Sequence, residues 1–290
     1  MKLVDFFSGA GGLSCGLNMA GFHSVLGSDI HPIYAQTFAK NHPDSKIITS
    51  DIRKLSEYDI LNLTNLKTGE LDLLAGGPPC QGFSINAPIR SLDDQRNHLF
   101  KEYLRIAKIL QPRAILIENV PGIVSLVIEA IYSELKQMGY SVDHRILFAG
   151  HYGIPQTRFR TIFIALRDNH KVEFPEPSHF ATAVTNFAGA NELCIKIPPL
   201  FAQELKKATT VWDAISDLPI LALGESLDNI AYPTAPLSEY QQILRERSSK
   251  IYNHSCGKLG KLNLERLKHI PQGGSWRDIP FELLPEGLKK

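Results

Sequence analysis

The chain has 290 residues, 43% of them hydrophobic and 21% charged, enough to bury a full core in one large domain with a smaller second piece. Lys and Arg total 31 against 30 for Asp and Glu, so no global positive field singles out a nucleic-acid partner, and any such surface must be local. Cys15, Cys80, Cys194 and Cys256 show no CxxC spacing and the ten histidines form no ligand pattern, which predicts reduced thiols, a cytoplasmic setting and no metal. The opening "MKLVDFFSGAGG" lacks the apolar core and cleavage site of a signal peptide, and no apolar run approaches the roughly 20 residues that span a bilayer.

Along the first 170 residues short apolar runs alternate with helical patterns, the form of a doubly wound, mostly parallel sheet with helices on both faces. Seven strands are expected: 2–7, 24–29, 46–51, 72–77, 113–119, 142–149 and 161–167. "LFKEYLRIAKIL" puts Leu99, Tyr103, Ile106, Ala107 and Leu110 on one helical face, and "GIVSLVIEAIYSELKQMG" does the same and ends on a capping glycine, Gly139. From about Lys171 prolines recur and the alternation is lost. The expected division is therefore a catalytic domain over 1–170 and an incomplete small region over 171–290, where "TTVWDAISDLP" and "YQQILRER" are the clearest helices.

The first strand runs into a glycine cluster, Gly9, Gly11 and Gly12, at the sheet edge where such folds bind nucleotides. Asp29 closes the second strand, where a carboxylate can accept both hydroxyls of a ribose, and Asp51 closes the third, where one can reach an adenine amino group. The turn matches neither GxGxxG nor the GxxxxGK[ST] loop. An adenosine group without a pyrophosphate, as in S-adenosylmethionine, fits better than a dinucleotide.

After the fourth strand, "GGPPCQGFS" sets Cys80 behind Pro78 and Pro79, whose fixed φ and missing N–H groups limit where the thiol can be. Rigidity there favours a nucleophile, whose attack needs the thiolate. Glu118 ends the apolar run "AILIEN" and is expected in a low-dielectric setting. In "QTRFR", Arg158 and Arg160 alternate along an extended segment, so both side chains face one way toward a polar planar ring.

With "DFFSGAGG", "SDI", "SDIR", "GGPPCQGFS", "DDQRNHLF", "ENVPG" and "YGIPQTRFR" in order over residues 1 to 170, the chain resembles the cytosine-C5 DNA methyltransferases. The resemblance implies that Cys80 attacks C6 of a cytosine in double-stranded DNA, that Glu118 bonds N3 and the exocyclic amine, and that Arg160 holds O2 with Arg158 in support. It implies S-adenosylmethionine as cofactor: Phe7 and Ile30 on the adenine, Asp29 on the ribose, Asp51 and Ile52 at the adenine edge, and Pro79 lining the base pocket. Ser84, Arg96 and Asn119 are the substrate-binding positions it adds. "GFSINAPIRSLDDQRN" corresponds to a loop that closes over flipped DNA.

The family's recognition domain and its final "G-N-S/A-V" segment have no counterpart here. Three readings stand: the larger subunit of a split enzyme with a second polypeptide, a truncated product, or a chain that binds without turnover. A transfer-RNA methyltransferase is the nearest enzymatic alternative, and a restriction-modification system is the expected context. The run from Arg245 to Lys268, with seven Lys or Arg against two Glu, is a candidate phosphate-contact surface, with a solvated helical face as the alternative of at least equal weight.

Overall fold

The computed structural model describes residues 1–79, 98–183, 197, 203–246 and 248–289. Within them the chain forms two compact units, Met1–Ala208 and Thr209–Lys290.

Seven strands build the sheet of the first unit: β1 (Lys2–Phe6), β2 (His23–Ser28), β3 (Lys46–Ile48), β4 (Leu73–Gly76), β5 (Ala114–Asn119), β6 (Tyr140–Phe148) and β7 (Phe159–Arg167). Their order is β3-β2-β1-β4-β5-β7-β6, so every strand expected from the sequence forms. The first five run parallel; β7 enters antiparallel between β5 and β6, with Glu118 opposite Ile162 and Asn119 opposite Thr161.

Five helices cover the sheet: α1 (Gly12–Met19), α2 (Pro32–Asn41), α3 (Glu57–Thr64), α4 (His98–Leu110) and α5 (Val124–Gln137). Strand alternation sends Val4, Phe6, Leu74, Ile115 and Ile117 to one face, where they pack with Ile60 of α3, Tyr103, Ile106 and Leu110 of α4, and Ile131 and Leu135 of α5. The opposite face carries Leu3, Leu73 and Ala75 under Leu13 and Leu17 of α1. Burying these side chains is the main stabilising term, of the order of 1.5–3 kcal/mol for each large one. The apolar stripe expected on α4 is buried at Tyr103, Ile106, Ala107 and Leu110. Past the end of α5, Gly139 takes a left-handed φ of 87°, the cap expected from the sequence.

On the same face as α1, α2 approaches the sheet closely through Phe38. A side chain on Gly27 of β2 would lie 2.4 Å from the Phe38 ring, so only glycine fits there.

The first unit continues past β7 to a short parallel pair, β8 (His179–Phe180) with β9 (Lys206–Lys207). The second unit holds α6 (Val211–Ile215), α7 (Glu239–Arg245) and α8 (Lys261–Lys268), with antiparallel pairs of two residues each: β10 (Ser226–Leu227) with β13 (His254–Ser255), and β11 (Ile230–Ala231) with β12 (Lys250–Ile251). Thr210 and Asp213 form a capping box on α6, and Gln241 of α7, almost fully buried, donates to Ser216 Oγ at 2.9 Å. Part of the candidate phosphate-contact run is used internally. Arg245 pairs with the buried Asp217, donates to Thr234 O at 2.7 Å and stacks 3.6 Å from the centre of the Tyr232 ring, while Arg266 donates to Leu283 O. The sequence sees the charges of such a run but not their partners, and here the partners hold two of the cations inward.

Among the described residues no helix is long and apolar enough to cross a membrane, and no group of three or more His, Cys, Asp or Glu side chains could hold a metal ion.

Candidate active site

The parallel strands β1 to β5 end at one edge of the sheet, and so does the start of β7, because β7 runs the other way. A cleft of about 310 Å³ opens at this edge, lined by Phe7, Asp29, Ile30, Asp51, Ile52 and Pro79 among others. Six positions expected to hold a ligand, spread over four strand ends, thus share one cavity. Gly9, Gly11 and Gly12 do not line it.

The turn after β1 is tightly wound. Phe7 has φ 61°, Gly9 φ 54° and Gly11 φ 92°, and Gly11 N donates to Ser8 O at 2.9 Å. Its conformation aims the Gly9 N–H at Asp29 Oδ2, 3.0 Å away, while His31 N donates to Oδ1 at 2.8 Å. Two backbone donors from opposite sides therefore fix the Asp29 carboxylate. Beside it, Ile30 is 57% exposed, an apolar side chain standing free in the cleft.

Asp51 is held differently. It caps the short 3-10 turn at Ile52–Lys54 by accepting from Arg53 N, and it pairs with the Arg53 guanidinium at 2.6 Å. These bonds pull its carboxyl down to about 2. Arg53 also lines the cleft, a residue the sequence reading passed over although "SDIR" places it two residues from the aspartate. Arg105 of α4 donates to Ile52 O at 3.0 Å and fixes this wall from behind.

Asp5, in β1, is buried against α1 and accepts from Ser14 Oγ at 2.7 Å, but its Oδ1 has no partner among the described residues. Burial pushes its carboxyl up to about 7 from 3.8, against the Ser14 bonds. The native state thus keeps a proton that the unfolded chain releases near pH 4, so this group's contribution to stability is full below about pH 4 and lost as pH rises through about 7. Urea midpoints measured from pH 4 to 8 are expected to fall across this window and to flatten in Asp5→Asn; an unchanged slope in that variant would remove the assignment.

At the centre of the edge, β4 passes through Gly77, Pro78 and Pro79 toward Cys80. Cys80, Ser84 and Arg96 lie outside the described residues. The approach to Cys80 is anchored by Asn119, which is buried and donates through Nδ2 to Pro78 O at 2.9 Å while its Oδ1 accepts from Val120 N at 2.9 Å. Its amide is therefore engaged on both sides within the protein. Tyr103 of α4, fully buried, sets its hydroxyl 3.1 Å from both Leu74 O of β4 and Leu116 O of β5, tying together the strands that lead to Cys80 and Glu118.

Glu118 does not have the low-dielectric surroundings expected of it. The run "AILIEN" buries Ile115 and Ile117, but the Glu118 side chain stands at the strand end, 32% exposed. Its Oε1 lies 2.8 Å from Arg160 Nε and 3.6 Å from Arg158 Nη2. Both arginines face the carboxylate, as their alternation predicts. Burial, then repulsion from Arg158, lowers Arg160 from its ordinary value, and Glu118 opposes both. The result is a donor and acceptor array, a carboxylate with two guanidiniums, close to Gly77 on the approach to Cys80.

The family model for the C-5 cytosine-specific DNA methylases matches residues 1–271. The chain belongs to this family. It is 33% identical over 291 residues to the Type II methyltransferase M1.HphI of Haemophilus parahaemolyticus, a match that covers 98% of this chain and 65% of the relative. With M.AgeI of Thalassovita gelatinovora it shares 33% identity over 99% of this chain and 68% of that one. The chain thus spans about two thirds of the length of these methylases. Among solved structures, a DNA modification methyltransferase encoded within an E. coli prophage superimposes with a TM-score of 0.65 at 25% identity, covering 93% of this chain and 75% of that chain. The seven-stranded, mostly parallel α/β sheet is the methylase fold.

Proposed function

We propose that the protein transfers a methyl group from S-adenosylmethionine to C5 of cytosine in double-stranded DNA, in the cytoplasm, as the modification enzyme of a restriction-modification system. The observation that carries this reading is the Glu118–Arg160–Arg158 array beside the turn to Cys80, on the same sheet edge as the cleft held by Asp29 and Asp51.

The cleft suits an adenosyl ligand. Its volume lies at the lower end of small-ligand pockets, its walls at Phe7, Ile30 and Ile52 are apolar, and two carboxylates flank them. Asp29 would take the ribose hydroxyls, Ile30 and Phe7 the adenine faces, and Asp51 with Ile52 the adenine edge. When bound, the cofactor supplies an electrophilic methyl group for C5.

The chain's own groups do the rest. The Cys80 thiolate adds to C6, moving the C5–C6 electron pair onto C5, which becomes nucleophilic. Glu118, in its protonated form, donates to N3 and accepts from the exocyclic amine, so that its proton meets the negative charge arriving in the ring, while Arg160 holds O2 with Arg158 in support. After methylation a base removes the C5 proton, the C5–C6 double bond re-forms and the thiolate leaves. Because a stacked base is out of reach, the target cytosine is flipped out of the duplex. Pro79 lines the base pocket, and Ser84 and Arg96 contact the substrate. Asn119, its amide engaged on Pro78 O and Val120 N, positions the approach to Cys80.

Base reading is assigned to a second polypeptide that brings the recognition domain. In support, the second unit leaves Val211, Trp212, Ile215 and Ile220 exposed, apolar side chains of the kind a partner covers.

The test is a covalent trap: the purified chain, with and without the product of the adjacent reading frame, is incubated with S-adenosylmethionine and duplex DNA containing 5-fluorocytosine. The fluorine blocks release, so an adduct at Cys80 is expected by mass spectrometry in the two-protein mixture. An adduct formed equally well by the chain alone would remove the second polypeptide from the account. Adducts on transfer RNA but never on duplex DNA would overturn the substrate.

A further inference from the structure

We propose that α2 is a strut that sets the adenosyl site, and that Asn41 and His42 at its C-terminal end are positioning residues for a ligand they do not touch. The inference rests on the cleft being the adenosyl site.

The hydrogen bonds run from one end of α2 to the other. At its N-terminal end His31, the N-cap, donates its N–H to Asp29 Oδ1 at 2.8 Å. Ten residues later, a rise of about 15 Å, the chain returns to the glycine turn. There Asn41 Nδ2 donates to Ala10 O at 3.1 Å, and His42 Nε2 donates to Gly11 O at 3.0 Å. The turn in turn presents the Gly9 N–H to Asp29 Oδ2. Both oxygens of Asp29 are thus set by α2, one directly and one through the turn that Asn41 and His42 hold.

The fit around His42 is close. Its ring is buried, its centre 4.5 Å from that of the Phe38 ring and tilted 39° to it, and the Asn18 amide lies 3.2 Å from its Nδ1. A side chain on Gly11 would lie 2.4 Å from His42 Nε2. Gly11 therefore makes room for the helix end behind the turn, which explains why it does not line the cleft. Gly11 O also accepts from Cys15 N at 2.8 Å, so the carbonyl keeps a partner when His42 is replaced. Asn41 is exposed, and its loss removes a hydrogen bond without opening a cavity.

A purely structural role predicts changes in unfolding and none in affinity at matched folding; the strut predicts the reverse. The experiment is a calorimetric titration of S-adenosylhomocysteine, which cannot turn over, into the wild-type chain and the variants Asn41→Ala, His42→Leu and His42→Gln, with the thermal midpoint of each apoprotein. Asn41→Ala is expected to bind roughly three- to tenfold more weakly, the worth of one hydrogen bond, with its midpoint unchanged. His42→Leu is expected to weaken binding by a similar factor, and His42→Gln, which keeps a donor, to recover part of it. Wild-type affinity in both Asn41→Ala and His42→Leu overturns the strut and leaves the adenosyl reading standing. Lower midpoints in both, with affinities that return to the wild-type value once the folded fraction is matched, overturn it in favour of packing. A wild-type chain that binds no S-adenosylhomocysteine overturns the adenosyl reading and the strut together. Should His42→Leu fail to fold, Asn41→Ala alone decides.

Discussion

Cys80→Ser is expected to lower methyl transfer by at least about 10⁴-fold, the scale on which loss of a covalent nucleophile acts, and to abolish the 5-fluorocytosine adduct. A serine hydroxyl is isosteric with the thiol but far harder to ionise, so addition to C6 fails at neutral pH. The approach to residue 80 should keep its shape, since it is fixed by Pro78, Pro79 and the bond from Asn119 to Pro78 O, none of which involves the sulfur. Binding of S-adenosylhomocysteine is therefore expected to match wild type. Methylation that survives in the serine variant would remove the covalent mechanism; loss of cofactor binding would mean that the substitution had disturbed the sheet edge instead.

The second large effect is expected at Glu118. Glu118→Gln keeps the shape of the side chain but removes the negative charge that faces Arg160 at 2.8 Å and Arg158 at 3.6 Å. The two guanidiniums then repel without a counter-charge, and the ring loses the carboxyl group that meets N3. A fall in kcat of roughly 10²- to 10³-fold is expected, with a smaller change in KM for DNA, because the lost interaction grows as charge develops in the ring. Arg160→Ala should fall in the same range. The informative quantity is the double variant. Groups acting as one unit are strongly non-additive, so it should be scarcely worse than either single variant. Full additivity of the two effects would show that Glu118 and Arg160 serve separate functions.

Several strands were legible as short apolar runs, and in this sheet the polar residues near the ends of three of them belong to the site: Asp29 after β2, Asp51 after β3 and Glu118 in β5. Their placement at one edge follows from the parallel arrangement. What a linear reading could not supply is the partner of each polar group. Arg53 on Asp51 is local and was within reach of the sequence; Asn119 on Pro78 O joins residues 41 apart. The grip of His42 on Gly11 spans 31 residues and depends on α2 crossing the sheet over Gly27, which no periodicity encodes. In the second unit the two-residue strands are too short to leave an alternation. Arg245, read as a surface cation, is held by Asp217 from another stretch of chain.

The strand order also has a consequence for how the protein is made. β1 is the first of these seven strands to leave the ribosome, yet it lies inside the sheet, between β2 and β4. Synthesis through Ile48 yields a three-stranded half, β3-β2-β1, whose inner border stays unpaired until Leu73–Gly76 has been added. At about 5–20 residues per second that border is open for seconds, with the carbonyls and amides of Leu3 to Phe6 available to any other extended chain. The nascent sheet thus passes through a stage with an open inner border, and the strand that ends it is the one leading to Cys80.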